Sequence, residues 1–265
     1  MRYFQIFLIQ CQNVLQERGR SFVWFLMAAV NPLIVILFWK GAANNKQLAP
    51  GWDFASLASY YFFLTVAFSL IVSHVEENVS RQHIQEGNLV MYLVKPISYL
   101  GIKFLEEMPY RILQSFYGSI LCLVFFVFFG KQLFVISNDP LILFFSCIII
   151  VLGIAISFIT RMLMGISAFW FTDSRGMYEA LYATEFALGG TLIPLILLPP
   201  TLMHIAYILP FAYIIYFPIA AFQGKLNLIN EVGVIGMQTL WIILFGFIYR
   251  ILWSAGVKKF SGVGQ

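Results

Sequence analysis

Long apolar runs separated by short polar intervals set the plan of this chain. Over residues 1–20, Phe4, Phe7, Leu8, Cys11, Val14 and Leu15 recur at helical spacing among Arg2, Gln5, Gln12, Asn13, Glu17, Arg18 and Arg20. That pattern predicts an amphipathic helix lying at a membrane surface. Six apolar runs follow, at 22–39, 54–72, 112–129, 141–171, 177–198 and 232–253. Most are near the ~20 residues that a ~30 Å hydrocarbon layer demands of a spanning helix. The run 141–171 is longer, which predicts strong tilt or emergence from the bilayer. Short polar loops at Lys40–Asp53 and Lys131–Pro140, and a turn at Thr172–Gly176, separate the spans. The longest polar interval, 74–111, predicts an extended loop between the second and third spans.

One apolar stretch breaks the pattern. Gly189–Lys225 is greasy enough for lipid, yet holds five of the chain's ten prolines: Pro194, Pro199, Pro200, Pro210 and Pro218. A helix running straight through Pro199-Pro200 would lose backbone hydrogen bonds that hydrocarbon cannot replace. The stretch therefore predicts a span that stops at the double proline, followed over 199–225 by a broken, re-entrant segment in one half of the bilayer. Such segments are tolerated where they pack on protein or line a cavity. Two ordinary helices joined by a proline-rich turn are the alternative.

Composition agrees. Of 265 residues, 61% are hydrophobic and only 11% charged, too few charges to cover a soluble domain. Cys11, Cys122 and Cys147 are scattered and make no disulfide framework or metal spacing. The first span is too long and too far from the start for a cleaved leader, and reads as a retained anchor. Arg2, Arg18, Arg20, Arg81, Lys95, Lys103, Arg111, Arg161, Arg175, Arg250, Lys258 and Lys259 fall on one side of a six-span arrangement. Only Lys40, Lys46, Lys131 and Lys225 fall on the other. The positive-inside rule then predicts both termini in the cytosol, the 74–111 loop inside and the broken stretch outside.

The chemistry-bearing residues are few. There is no phosphate-binding GxxxxGK[ST] loop, so ATP is not expected to bind through one. His74, His83 and His204 lack metal-ligand spacing, and no catalytic set is expected. In the inner loop, a charged helix-compatible segment from Glu76 to Glu86 reaches Gly87, followed by the apolar Leu89, Val90, Leu93 and Val94. That order suits docking into a soluble partner, though a solvated loop with interfacial helices fits as well. Arg161 and Glu185 lie inside apolar runs, about equally far from the turn at Asp173-Ser174. Intramembrane charges are costly and normally paired or cavity-facing. We expect either an ion pair between the fourth and fifth spans or an Arg161 that snorkels to the interface beside a cavity-facing Glu185.

Four stretches, in order along the chain, resemble the membrane subunits of type-2 ABC exporters, in their bacterial branch of about this length. They are IQEGNLVMYLVKPIS at Ile84–Ser98, AFWFTDSRG at Ala168–Gly176, the proline-rich run Gly189–Lys225, and WSAGVKKFSGVGQ at Trp253–Gln265. The resemblance implies an all-α integral membrane protein, a single permease domain over 1–265. It would have six transmembrane helices, an N-terminal interfacial helix, a cytoplasmic coupling helix and outer re-entrant helices between the fifth and sixth spans. By position, Glu76, Glu77, Arg81, His83, Glu86 and Gly87 would belong to or flank the coupling helix. Pro194, Pro199, Pro200, Pro210 and Pro218 would shape an outer gate. The implied function is ATP-driven export of an amphiphile such as a drug, a lipid-linked molecule or a peptide. ATP and Mg would be bound by two copies of a separate cytoplasmic ATPase, and no cofactor by this chain. A second permease copy or a related subunit, and membrane lipid, would be the other partners, with no nucleic acid. The implied location is the bacterial inner membrane. A secondary transporter or channel, or a non-transporting membrane anchor, are the rival readings.

Overall fold

A computed structural model describes residues 2–43, 50–129, 133–172 and 175–260. The expected turn at Asp173-Ser174, the loop residues Lys46 and Lys131, and the tail from Ser261 lie outside them. The described residues are all-helical in order: α1 (Arg2–Gln16), α2 (Arg18–Ala43), α3 (Phe54–Ile71), a π-helix (Asn78–Gln85), α4 (Val90–Leu93), α5 (Tyr99–Phe129), α6 (Pro140–Ile166), α7 (Arg175–Leu188), α8 (Pro200–Ile208), α9 (Tyr216–Phe222) and α10 (Leu228–Lys259). Among them, Phe54–Ile71, Tyr99–Val127, Pro140–Phe169 and Leu228–Lys259 are long and apolar enough to cross a membrane. A fifth is added if Pro200–Ile208 and Pro210–Phe222, bent by 75° at their junction, form one broken span. The run expected at 22–39 lies within α2.

Local chemistry sets the helix starts. The Asp53 carboxylate accepts from the Ser56 amide, Asp139 from Leu141 and Asn227 from Asn230, each capping donors that the first turn leaves unpaired. Pro140, at the first position of α6, surrenders an amide that has no intrahelical partner in any case. At the other end of α3, the Arg111 guanidinium donates to the carbonyls of Leu70, at 2.9 Å, and Ile71.

Two helices differ from the sequence expectation. The 74–111 interval is not all loop: α5 begins at Tyr99 and runs 31 residues through Pro109. Its charges, Lys103, Glu106, Glu107 and Arg111, recur at helical spacing and are satisfied on one face, so polarity there marks a lined cavity rather than a loop. The fifth span, expected over 177–198, is helical only to Leu188. The reason is Gly189-Gly190. Gly190 adopts φ +91°, and a Cβ there would lie 2.7 Å from the Tyr60 hydroxyl and 2.8 Å from the Tyr216 Cβ.

The core falls into two clusters joined by α6. One gathers Leu57, Tyr60, Tyr61, Ile149, Ile156 and Val234 around the segment 211–221. The other gathers Phe158, Met162, Ile166, Phe169 and Tyr249 around Val75, Val79, Ile84, Leu89 and Tyr99. The helices α6 and α10 form the most extensive pair and run parallel: Ser146 meets Glu231, Ile149 meets Gln238, and Phe169 meets Gly256. Apolar side chains left exposed on α5 (Ile112, Phe116, Leu123, Val127) and α10 (Leu240, Ile243, Phe247) form the surface a bilayer would cover.

Candidate functional site

The candidate site has two ends and a link. At one end lies the π-helix, a rare form that recurs at functional positions. Its wider turn is visible where the Glu86 amide donates to the Arg81 carbonyl at 2.9 Å, five residues back. Gly87, at φ +82°, turns the chain so that the Leu89 amide reaches the His83 carbonyl at 2.8 Å. The segment sits directly on α6, because Gly165 has no side chain. A Cβ at Gly165 would fall 2.7 Å from the Val79 Cβ and 3.2 Å from the Glu76 carbonyl.

This seating divides the six residues expected to couple to a partner. Glu77, Arg81 and Glu86 are exposed, with Gln82 and Gln85 beside them, and Arg81 lies 3.6 Å from Glu86. Glu76 and His83 are buried and face the protein instead. The His83 Nδ1 is 2.6 Å from the Tyr99 hydroxyl, and its ring packs on Tyr92 with centroids 4.4 Å apart. Burial, then the nearby Lys103 and Lys95, push the His83 pKa down to about 4, so the ring is neutral at pH 7. The Gln85 amide donates to the Thr172 carbonyl at 2.8 Å, tying the π-helix to the connection before α7. A polar cleft of about 550 Å³ opens there, with Glu77, Arg81, Arg175 and Glu179 on its walls.

The link runs through α7. The Tyr182 hydroxyl donates to the Glu76 carboxylate, whose other oxygen has no protein partner. Burial raises the Glu76 pKa, against the opposing effects of Tyr182 and Arg161. The Arg161 guanidinium stacks 4.5 Å from the centre of the Tyr182 ring and donates to the Glu185 carboxylate. Arg161 and Glu185 are therefore an ion pair between α6 and α7, both buried. Glu76, Tyr182, Arg161 and Glu185 form one continuous polar chain. Tyr182 carries it, yet one tyrosine among thirteen gives no sequence signal of that role.

One turn beyond Glu185 the chain reaches the broken stretch. The Gly189 amide donates to the Glu185 carbonyl at 2.7 Å, and the Tyr216 amide donates to the Gly189 carbonyl at 3.1 Å. The Tyr60 and Tyr61 hydroxyls donate to the carbonyls of Gly190 and Leu192, at 2.7 and 2.8 Å. The carbonyls of Glu185, Gly189, Gly190 and Leu192 around the end of α7 thus each have a partner. The five prolines all stand where a short helix begins. Pro194 and Pro199 occupy N-cap positions, Pro200 and Pro210 open α8 and a 3₁₀ turn, and Pro218 lies in the first turn of α9. None costs an intrahelical bond. The two halves of the stretch differ in setting. In α8, Leu202, Ile205 and Ile208 are exposed, whereas residues 210–221 are buried without a break. Gln238 of α10 fixes that buried half, donating to the carbonyls of Tyr213 and Ile149 at 3.0 and 2.9 Å.

Among the described residues no group of three His, Cys, Asp or Glu side chains is placed to hold a metal ion. No curated protein matches the chain in sequence. The sequence profile of the family described as ABC-2 family transporter protein matches residues 29–264, nearly the whole chain. With its apolar helices and a profile match of that extent, the chain belongs to the ABC-2 family of transporter membrane proteins.

Proposed function

We propose that this chain is the permease subunit of an ATP-driven exporter, moving an amphiphile outward when a separate cytoplasmic ATPase binds and hydrolyses ATP. The observation that carries the reading is the link between the two ends. The exposed face of the π-helix (Glu77, Arg81, Gln82, Gln85 and Glu86) is the docking surface for the ATPase. Glu76, on its buried side, is bonded to Tyr182 of α7, which leads through Arg161 and Glu185 to the broken stretch. Movement of the docked segment is transmitted along α7 to Gly189-Gly190.

In this reading six segments cross the bilayer, with both termini, the π-helix and α4 in the cytosol of a bacterium and the protein in its inner membrane. Because α6 and α10 run parallel, the chain between them must return once. The 14 residues of α7 cover only ~21 Å at ~1.5 Å per residue. The crossing is therefore completed by the broken stretch. Two permease halves, identical or related, assemble with two ATPases, which hold the ATP and Mg. The exposed α8 is the part of the outer gate free to move, and the buried half with Pro210 and Pro218 is its anchor. The test is to purify the chain with its ATPase and measure hydrolysis with and without Arg81→Glu. Stimulation by the intact chain and its loss in the variant are expected. Transport by the chain alone, without any nucleotide-binding partner, would overturn the reading.

A further inference from the structure

At the end of the molecule that holds the π-helix, a cavity of about 640 Å³ lies between α1, α3, α5 and the π-helix. That is the size of a small-molecule site, roughly 300–1,000 Å³. Its charged wall is balanced. Lys103 donates to Glu106 at 2.7 Å and to the Asn78 side chain at 2.6 Å, and Arg111 donates to Glu107 at 3.1 Å. Two cations thus face two carboxylates. Two imidazoles, those of His74 and His83, also line the cavity. Both are neutral at pH 7. Desolvation, then Arg161 and Arg111, push the His74 pKa down to about 4, as burial does for His83. The rest of the polar lining is uncharged, the amides of Gln10, Asn78, Gln82 and Gln114 with the hydroxyls of Ser69, Tyr92 and Tyr110.

A second cavity, of about 370 Å³, adjoins the first, with Phe68, Ser69 and Gln114 bordering both. Its lining is largely apolar, with Phe25, Ile34, Val35, Leu64, Phe186 and Leu192. A polar chamber beside an apolar one matches a molecule with a head and a tail. A charge-balanced wall gives a net anionic or cationic head no compensating charge, and burying an uncompensated charge is costly.

We propose that the paired cavities hold an amphiphile whose headgroup carries no net charge, zwitterionic in kind, with its head in the polar chamber and its chain in the apolar one. Taking that occupant as cargo rests on the exporter reading; the binding itself does not. Lys103, Glu106, Glu107 and Arg111 are bonded to one another and to the surrounding protein, so they set the charge of the wall rather than bind the head themselves. The amides offer hydrogen bonds without changing the charge.

The test uses the full chain in lipid nanodiscs, photolabelled with a diazirine-tagged dodecylphosphocholine. Competitors share the same chain: dodecylphosphocholine, dodecyl phosphate and dodecyltrimethylammonium. The zwitterion is expected to compete about tenfold better than either ion, with label in the peptides bearing Phe68 and Tyr110. Lys103→Gln shifts the preference toward the cation, Glu106→Gln toward the anion, and the double variant restores the zwitterion. An ionic amphiphile competing best against the intact chain would overturn the proposal. So would an unchanged order in both single variants. Should those variants fail to fold, the competition order and label map of the intact chain decide alone. Labelling needs no ATPase, so intact labelling without ATP-driven export would sink the exporter reading and leave this site standing.

Discussion

Arg161 of α6 and Glu185 of α7 are ion-paired in the interior, with side chains only 3% and 8% exposed. Removing one partner of a buried pair strands the other charge, at a cost of about 3–5 kcal/mol. Arg161→Met and Glu185→Leu should each lower the unfolding free energy by an amount in that range, read from denaturant or thermal unfolding. The double variant should recover most of the stability, because an apolar pair suits an apolar setting. Recovered stability should not bring recovered ATPase stimulation if the pair transmits movement. A double variant that is both stable and fully stimulated would show that the pair serves only folding.

Gly165 lets the π-helix lie directly on α6. Gly165→Ala would place a methyl group 2.7 Å from two carbons of Val79, a contact that must be relieved by lifting the π-helix. Overpacking of this kind costs about 1–3 kcal/mol. The expected result is a folded protein with reduced stimulation of its ATPase and increased proteolysis within 78–89. Unaltered cleavage and stimulation would mean that the π-helix does not depend on this contact.

Arg81 and Glu86 are an exposed pair, with side chains 67% and 51% accessible. Exposed pairs contribute at most about 1 kcal/mol to stability. Arg81→Glu should therefore leave the unfolding midpoint nearly unchanged while weakening copurification with the ATPase. Reversal of both charges, Arg81→Glu with Glu86→Arg, tests whether the partner reads the sign at each position. A large loss of stability in Arg81→Glu would assign the residue a structural role instead.

His83 makes stability depend on pH, with a definite sign. Its pKa is about 4 in the folded protein and roughly 6.5 when unfolded. Above pH ~6.5 the ring is neutral in both states and contributes no slope. Below that, the unfolded chain binds a proton that the folded one refuses. Stability then falls with falling pH, by up to ~1.4 kcal/mol per unit for one proton. Denaturation followed between pH 7 and 5 should show this decline, and His83→Gln should flatten part of it. A profile identical to that of the intact protein would exclude His83 as a contributor.

The all-helical class, a helical segment within Glu76–Glu86 and the proline-broken stretch were legible because each writes a local signal: long apolar runs, a charged interval, clustered prolines. Arg161 and Glu185 were legible because a charge within an apolar run demands a partner. What stayed hidden depended on distant packing. Lys103, Glu106, Glu107 and Arg111 read as loop because polarity alone does not tell a solvated segment from the wall of a polar cavity. The end of α7 at Leu188 was hidden because Thr191–Leu198 is apolar enough to continue a span. What stops it is Tyr60 and Tyr216 crowding Gly190. The split of the residues expected to couple, Glu77, Arg81 and Glu86 outward with Glu76 and His83 inward, follows from the close approach to Gly165.

The parallel alignment of α6 and α10 bears on how the protein is made. Residues 210–221 are enclosed partly by α10, and Gln238 supplies the hydrogen bonds that hold Tyr213 and Ile149. During synthesis the broken stretch emerges before that wall exists, and the Tyr213 carbonyl lacks the Gln238 donor until α10 inserts. The helix α10 therefore completes the enclosure of the buried half of the broken stretch. A chain ending before Leu228 would present an unfinished interior to the quality-control machinery of the membrane, however well its earlier helices had inserted.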